Sequence, residues 1–91
     1  MYRIFFSKKY KKSLKKLIRS QSGLMKEVNE AINILARGER LADRYQDHLL
    51  TGKFEGFRDC HIRPDVILIY QIQEKNLILI AYNIGSHSEL F

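Results

Sequence analysis

Two apolar runs, VILIYQI (66–72) and LILIAYN (77–83), leave a chain of 91 residues few ways to fold. Both are rich in Ile, Leu, Val and Tyr, and only a short polar stretch at 73–76 parts them. Such runs read as the paired strands of a hairpin, because β-branched and aromatic side chains pack well on a pleated surface. The first run lacks polar alternation, so it reads as a central strand buried on both faces. Pro64 closes the segment before it, and residues 53–62 alternate well enough to form a further strand. In that segment Phe54, Cys60 and Ile62 share one parity, while Phe57, Asp59, His61 and Arg63 share the other. Alternate side chains point to opposite faces, so Asp59 and His61 are expected to project together. Gly56 is a candidate bulge that would shift the parity before it.

The upstream half reads as a strand and two helices. Residues 2–6 (YRIFF) have strand composition, and Ser7 is placed to cap a helix. Tyr10, Leu14, Leu17 and Ile18 then fall at i, i+4, i+7 and i+8, one face of an amphipathic helix. Its other face carries Lys8, Lys11, Lys12, Lys15, Lys16 and Arg19. Ser20, Ser22 and Gly23 break the pattern, and Leu24, Val28, Ala31, Ile32 and Leu35 mark a second helix that Gly38 ends. So short a turn implies an antiparallel helical hairpin. Residues 39–51 have no clean period and read as a loop, with His48 near its end. The fold class that follows is α+β: an N-terminal strand, a two-helix hairpin and a three-strand antiparallel meander, with the helices packed on one face of the sheet. The other face is left for chemistry or a partner. Residues 1–91 read as one domain, without repeat, low-complexity segment or linker.

Charge narrows the partners. Lys and Arg outnumber Asp and Glu 16 to 10, a net charge of +6. That balance favours a nucleic acid or an acidic protein. Lysines packed along one helix face repel each other, and an anionic partner would relieve the repulsion. A single cysteine excludes an internal disulfide framework and points to a reducing compartment. No secretory signal is visible and no apolar run is long enough to span a bilayer, so a cytoplasmic protein without membrane contact is expected.

Titratable groups concentrate in two segments, DHLLTGKFEGFRDCHIRPD (47–65) and the terminal GSHSELF. His48, His61 and His87 have no zinc-ligand spacing, so no metal is expected. Cys60 and His61 are strand neighbours that face opposite ways, and Cys60 reads as a buried thiol rather than a nucleophile. The remaining option is acid–base chemistry. Asp59 and His61 on one face, with His48 and His87 arriving from loops, supply an acid and a base, because histidine titrates nearest neutral pH and a carboxylate orients it. Lys53, Arg58 and Arg63 are candidates to hold an anion. No phosphate-binding glycine loop is present, and no cofactor is expected. The set suits metal-free phosphodiester cleavage of RNA.

The segments DH-x-L-x-G-K, FR-x-CHI-x-PD and a histidine four residues before a terminal Phe resemble the YafQ-type toxins of bacterial toxin–antitoxin systems, within the RelE/ParE superfamily. The strand–helix–helix–three-strand order matches that RelE-like fold as well. The resemblance implies a ribosome-dependent messenger-RNA endonuclease, neutralised by a cognate antitoxin and meeting operator DNA only through the antitoxin complex. It implies that His48, Asp59, His61, Asp65 and His87 are catalytic, with His87 leading, and that Phe91 contacts a base. Two positions depart from the pattern: Asn83 stands where many relatives have Arg, and Val66 where some have a larger aromatic. Arg58 or Arg63 is expected to replace the missing cation. Two other readings are a ParE-like toxin that acts by binding, against which the three histidines argue, and a basic nucleic-acid-binding module without catalysis.

Overall fold

The computed structural model describes residues 1–91. The hairpin at its centre is formed by β4 (Val66–Gln73) and β5 (Ile78–Gly85), paired antiparallel. On the other side of β4 lies β3 (Arg58–Arg63), completing the expected meander. β1 (Arg3–Phe6) pairs parallel with β5 along the outer edge. A parallel neighbour requires a long excursion of chain, and here the helices and the meander intervene. A two-residue strand, β2 (His48–Leu49), pairs with the free edge of β3. The sheet order is β1-β5-β4-β3-β2.

Helix α1 (Lys8–Ile18) begins where Ser7 caps it. The Ser7 hydroxyl accepts from the Tyr10 N–H at 2.9 Å and donates to the Tyr82 carbonyl, tying the helix start to β5. α1 buries Tyr10 and Leu14. Ile18 is left largely exposed. α2 (Leu24–Ala36) buries Leu24, Val28, Ala31, Ile32, Leu35 and Ala36. Gly38 follows its last turn at φ +79°, the left-handed conformation that a helix-ending glycine supplies. These helix faces meet Cys60, Ile62, Val66, Leu68, Tyr70, Leu79, Ala81 and Ile84 in the main core. A fully buried aliphatic side chain contributes about 1.5–3 kcal/mol over an exposed one, so this layer holds the sheet flat side to the helices. No helix is long and apolar enough to cross a membrane.

The opposite face is only partly covered. Ile67 and Ile69 of β4 pack there with Leu90 of the terminal helix α3 (His87–Leu90), flanked by Leu50, Phe54, Phe57 and Tyr82. β4 is therefore buried on both sides, as its unbroken apolar run implies.

Three local expectations are corrected. β3 starts at Arg58, not at residue 53, because residues 52–54 wind into a single 3-10 turn and Gly56 takes φ +92°. That irregularity swings Phe54 onto the uncovered face, away from Cys60 and Ile62. Residues 39–51 are more than a loop: they hold a 3-10 turn at Asp43–Tyr45 and strand β2. Finally, the pairing of β3 with β4 slips one residue between His61 and Arg63. Arg63 thereby leaves the face of Asp59 and His61.

Candidate active site

Asp59 is the one charged residue in the buried set, 4% exposed. It is the second residue of β3, directly opposite His48 of β2. The His48 Nδ1 lies 2.8 Å from the Gln46 carbonyl oxygen and 3.1 Å from Asp59 Oδ1. A carbonyl only accepts, so Nδ1 carries the proton and Nε2 keeps its lone pair. The N–H is aimed at Gln46. Asp59 Oδ1 is thus within ionic distance of His48 yet sealed from solvent without a hydrogen bond. Burial pushes the Asp59 carboxyl above the ordinary Asp range, while His48, His61 and His87 pull it back and Asp47 adds to the rise.

His61 follows on the same face, two residues along β3, as the alternation requires. Its Nδ1 lies 3.4 Å from the Pro64 carbonyl in the turn that leads into β4. His87 opens α3, whose start is fixed by a capping box: the Ser86 hydroxyl accepts from the Glu89 N–H and the Glu89 carboxylate accepts from the Ser86 N–H. Asp65 accepts from the His87 backbone N–H at 3.4 Å, linking the β3–β4 turn to the terminal helix. The His87 ring lies 5.1 Å from the Phe91 ring, and Phe91 meets Phe54 edge-on at 5.6 Å. His48 and His87 are exposed, His61 is half-buried, and Phe91 is 47% exposed. The structure therefore brings His48, Asp59, His61, Asp65, His87 and Phe91 to one face.

The expected cations divide. Lys53 stays near the site, its ammonium 5.4 Å from the Phe54 ring centre. Arg63 does not. Its guanidinium grips Glu27 at 2.7 and 3.0 Å and also donates to the Ser22 carbonyl and Gln21, pinning the turn between α1 and α2 to the end of β3. Arg58 is engaged as well, in a forked contact with Asp47 at 3.3 and 3.4 Å. Neither arginine stands free as a substitute for the cation missing at Asn83. Asn83 itself turns toward α1, where its Oδ1 accepts from Ser13 and from the Ile84 N–H. Lys12 and Lys16 line the same cleft of about 320 Å³. Val66 lies in the main core, beneath the helices, and offers nothing to a substrate.

Cys60 is fully buried, and burial pushes its thiol far above the usual range, consistent with a packed, inert residue. Sequence reasoning gave no role to Tyr70, read only as part of an apolar strand, or to Asp47. The Tyr70 hydroxyl donates to Asp47. A tyrosine inside an apolar run is the signal, since a buried hydroxyl has to find an acceptor.

A family model described as the bacterial toxin of type II toxin–antitoxin systems, YafQ, matches residues 2–91. The chain belongs to the YafQ family. A solved structure of a metal-bound toxin from Helicobacter pylori is 42% identical and superposes with a TM-score of 0.92 over 100% of both chains. The YafQ chain of an Escherichia coli DinJ–YafQ complex is 30% identical, with a TM-score of 0.86 over 100% of this chain and 99% of that one. The mRNA interferase toxin YafQ of E. coli K12 is 45% identical over 47 residues, a match that covers 52% of this chain and 49% of that protein. The likeness to YafQ structures agrees with the α+β architecture above.

The Helicobacter pylori toxin in that comparison is metal-bound. No group of three or more His, Cys, Asp or Glu side chains converges at ligand distance. The closest approach of such groups on this face is that of His48 Nδ1 to Asp59 Oδ1, 3.1 Å.

Proposed function

We propose that this YafQ-family chain is an endoribonuclease that cleaves messenger RNA on the ribosome by acid–base chemistry, and that a cognate antitoxin silences it. The observation that carries the reading is the pairing of His48 with buried Asp59 at 3.1 Å on a sheet face that also carries His61, with His87 and Phe91 brought to it by the terminal helix. The naming of an E. coli relative as an mRNA interferase, and the existence of DinJ–YafQ complexes, support it.

The chemistry needs a base, an acid and a means of holding the phosphate. His48 suits the base: with its proton on Nδ1, Nε2 is free to take the proton of a ribose 2′-hydroxyl. The oxygen then attacks the adjacent phosphorus, and the bond to the 5′-oxygen of the next nucleotide breaks. His87 suits the acid that protonates that leaving oxygen. Its ring makes no hydrogen bond within the chain, and it stands on an exposed turn. Asp59 holds positive charge on the flanking imidazoles as it develops. His61 and Lys53 supply charge toward the phosphate, and Asp65 steadies the start of α3. Phe91 offers a ring to a base, since stacking on aromatics is how single-stranded RNA is commonly gripped. Residues 1–91 act as one toxin unit in this reading, and its place of action is the cytoplasm, where message is translated.

Primer extension on a translated message is the test. Cuts that appear within codons only when ribosomes translate the message are expected. A protein that binds ribosomes or an antitoxin but leaves the message whole refutes the nuclease reading and favours inhibition by binding alone.

A further inference from the structure

His48 lies in a strand of only two residues at the sheet edge, yet its ring is set to within hydrogen-bond tolerance. So short a strand has little ladder of its own to hold it. The residue before it supplies the hold. Asp47 is half-buried, and its side chain points away from His48, to the helix side of the sheet. There it accepts from the Tyr70 hydroxyl and from both Nε and Nη2 of Arg58. Tyr70 is 1% exposed and belongs to the main core, so the clamp is anchored in the packed layer between sheet and helices. Burial, reinforced by the Asp47 carboxylate, pushes the Tyr70 phenol far above its ordinary value, so it remains a donor throughout the physiological range.

The backbone on the other side of Asp47 is also constrained. Gln46 takes φ +50° and ψ +40°, the left-handed region that a side chain with a Cβ adopts at a cost. That conformation persists only where the surroundings enforce it. It is also what aims the Gln46 carbonyl at His48 Nδ1. One clamp on Asp47 therefore fixes both sides of the catalytic geometry: the carbonyl that selects the tautomer and the strand register that lays the ring against Asp59.

We propose that Asp47, held from behind by Tyr70 and Arg58, is a positioning residue that locks His48 in its Nδ1–H tautomer against Asp59. This rests on the reading of His48 as a base in RNA cleavage, and it assigns Arg58 to the clamp rather than to the substrate. Tyr70→Phe removes the hydroxyl and keeps the ring that fills the core. Asp47→Asn keeps the shape and weakens both donors' hold. Glu27→Gln serves as a control, since it disturbs the Arg63 pair on a different part of the sheet.

The deciding measurement is the ¹⁵N chemical shifts of the His48 ring, which report which nitrogen bears the proton. In the wild type a single Nδ1–H form is expected. In Tyr70→Phe and Asp47→Asn the shifts should move toward a mixture, while Glu27→Gln leaves them in place. In single-turnover cleavage the two clamp variants should lose up to about 100-fold in the chemical step with little change in ribosome affinity, the cost of letting a reacting group drift. Asp47→Glu should not restore the rate, because the longer arm misplaces the loop. Unchanged His48 shifts in both clamp variants overturn the proposal. Shifts that move as expected in a protein that cuts no message uphold the clamp and refute the nuclease reading instead.

Discussion

Asp59→Asn should make this protein more stable and less active. The carboxylate is 4% exposed, and its Oδ1 is buried without a hydrogen bond. An unsatisfied buried polar group costs about 1–3 kcal/mol, and more when charged. What offsets it is His48, whose side chain is 57% exposed. An ion pair so open to water contributes about 1 kcal/mol or less. Asn keeps the shape and the orphaned polar atom and removes only the charge, so what is recovered is the extra cost of burying charge less the weak His48 pairing, a net gain of up to about 1 kcal/mol. For a domain of this size a full gain of about 1 kcal/mol would raise Tm by about 4–8 °C, the upper end of the expected gain. The pH dependence follows from the raised pKa. The folded state binds the Asp59 proton more tightly than the unfolded chain does, so the wild type loses stability as pH rises from the unfolded value of 3.8 through the folded one. Above that window the penalty is constant; below it both states are protonated and the penalty is gone. The advantage of Asn should therefore be full at pH 7 and vanish below pH 3.8. Urea denaturation of both proteins across that range measures it, and single-turnover cleavage at pH 7 should fall by roughly 10²-fold or more as imidazolium charge loses its partner. A variant less stable than wild type at pH 7 would show that Asp59 is held by interactions stronger than its burial cost, and the reasoning would fail.

Other substitutions separate chemistry from scaffold. His87→Ala should lower cleavage by roughly 10²–10⁴-fold while leaving Tm unchanged, because the ring is exposed and bonds nothing within the chain; near wild-type cleavage would remove His87 from the acid's role. Arg63→Ala should lower the urea midpoint modestly through loss of the Glu27, Gln21 and Ser22 contacts, yet leave single-turnover cleavage intact; a large catalytic defect at unchanged stability would return Arg63 to the substrate. Reversing Lys11, Lys12, Lys15 and Lys16 to Glu should weaken ribosome binding and flatten its salt dependence, since fewer phosphates are neutralised. Binding by sedimentation that is indifferent to both salt and these reversals would reduce the lysine face to a solvated surface.

The sequence by itself determined the elements whose period comes from their own side chains. The spacing of Leu24, Val28, Ala31, Ile32 and Leu35 places α2 and names the residues it buries. The unbroken run from Val66 marks a strand covered on both sides, and the pairing of β4 with β5 follows from the short turn between them. Asp59 and His61 share a face because alternation within one strand is local geometry. Tertiary structure decided whatever depends on a neighbour. β2 has no period to read; two residues become a strand only because the edge of β3 offers them partners. Phe54 changes face through a turn and a left-handed glycine before β3, and Arg63 changes face through one slipped residue after His61. A shift of a single position reverses every side chain that follows, and no composition records it. The fates of Arg58, Arg63 and Tyr70 were decided in the same way, because a sequence shows which groups can pair and only packing chooses among Asp47, Glu27 and a phosphate.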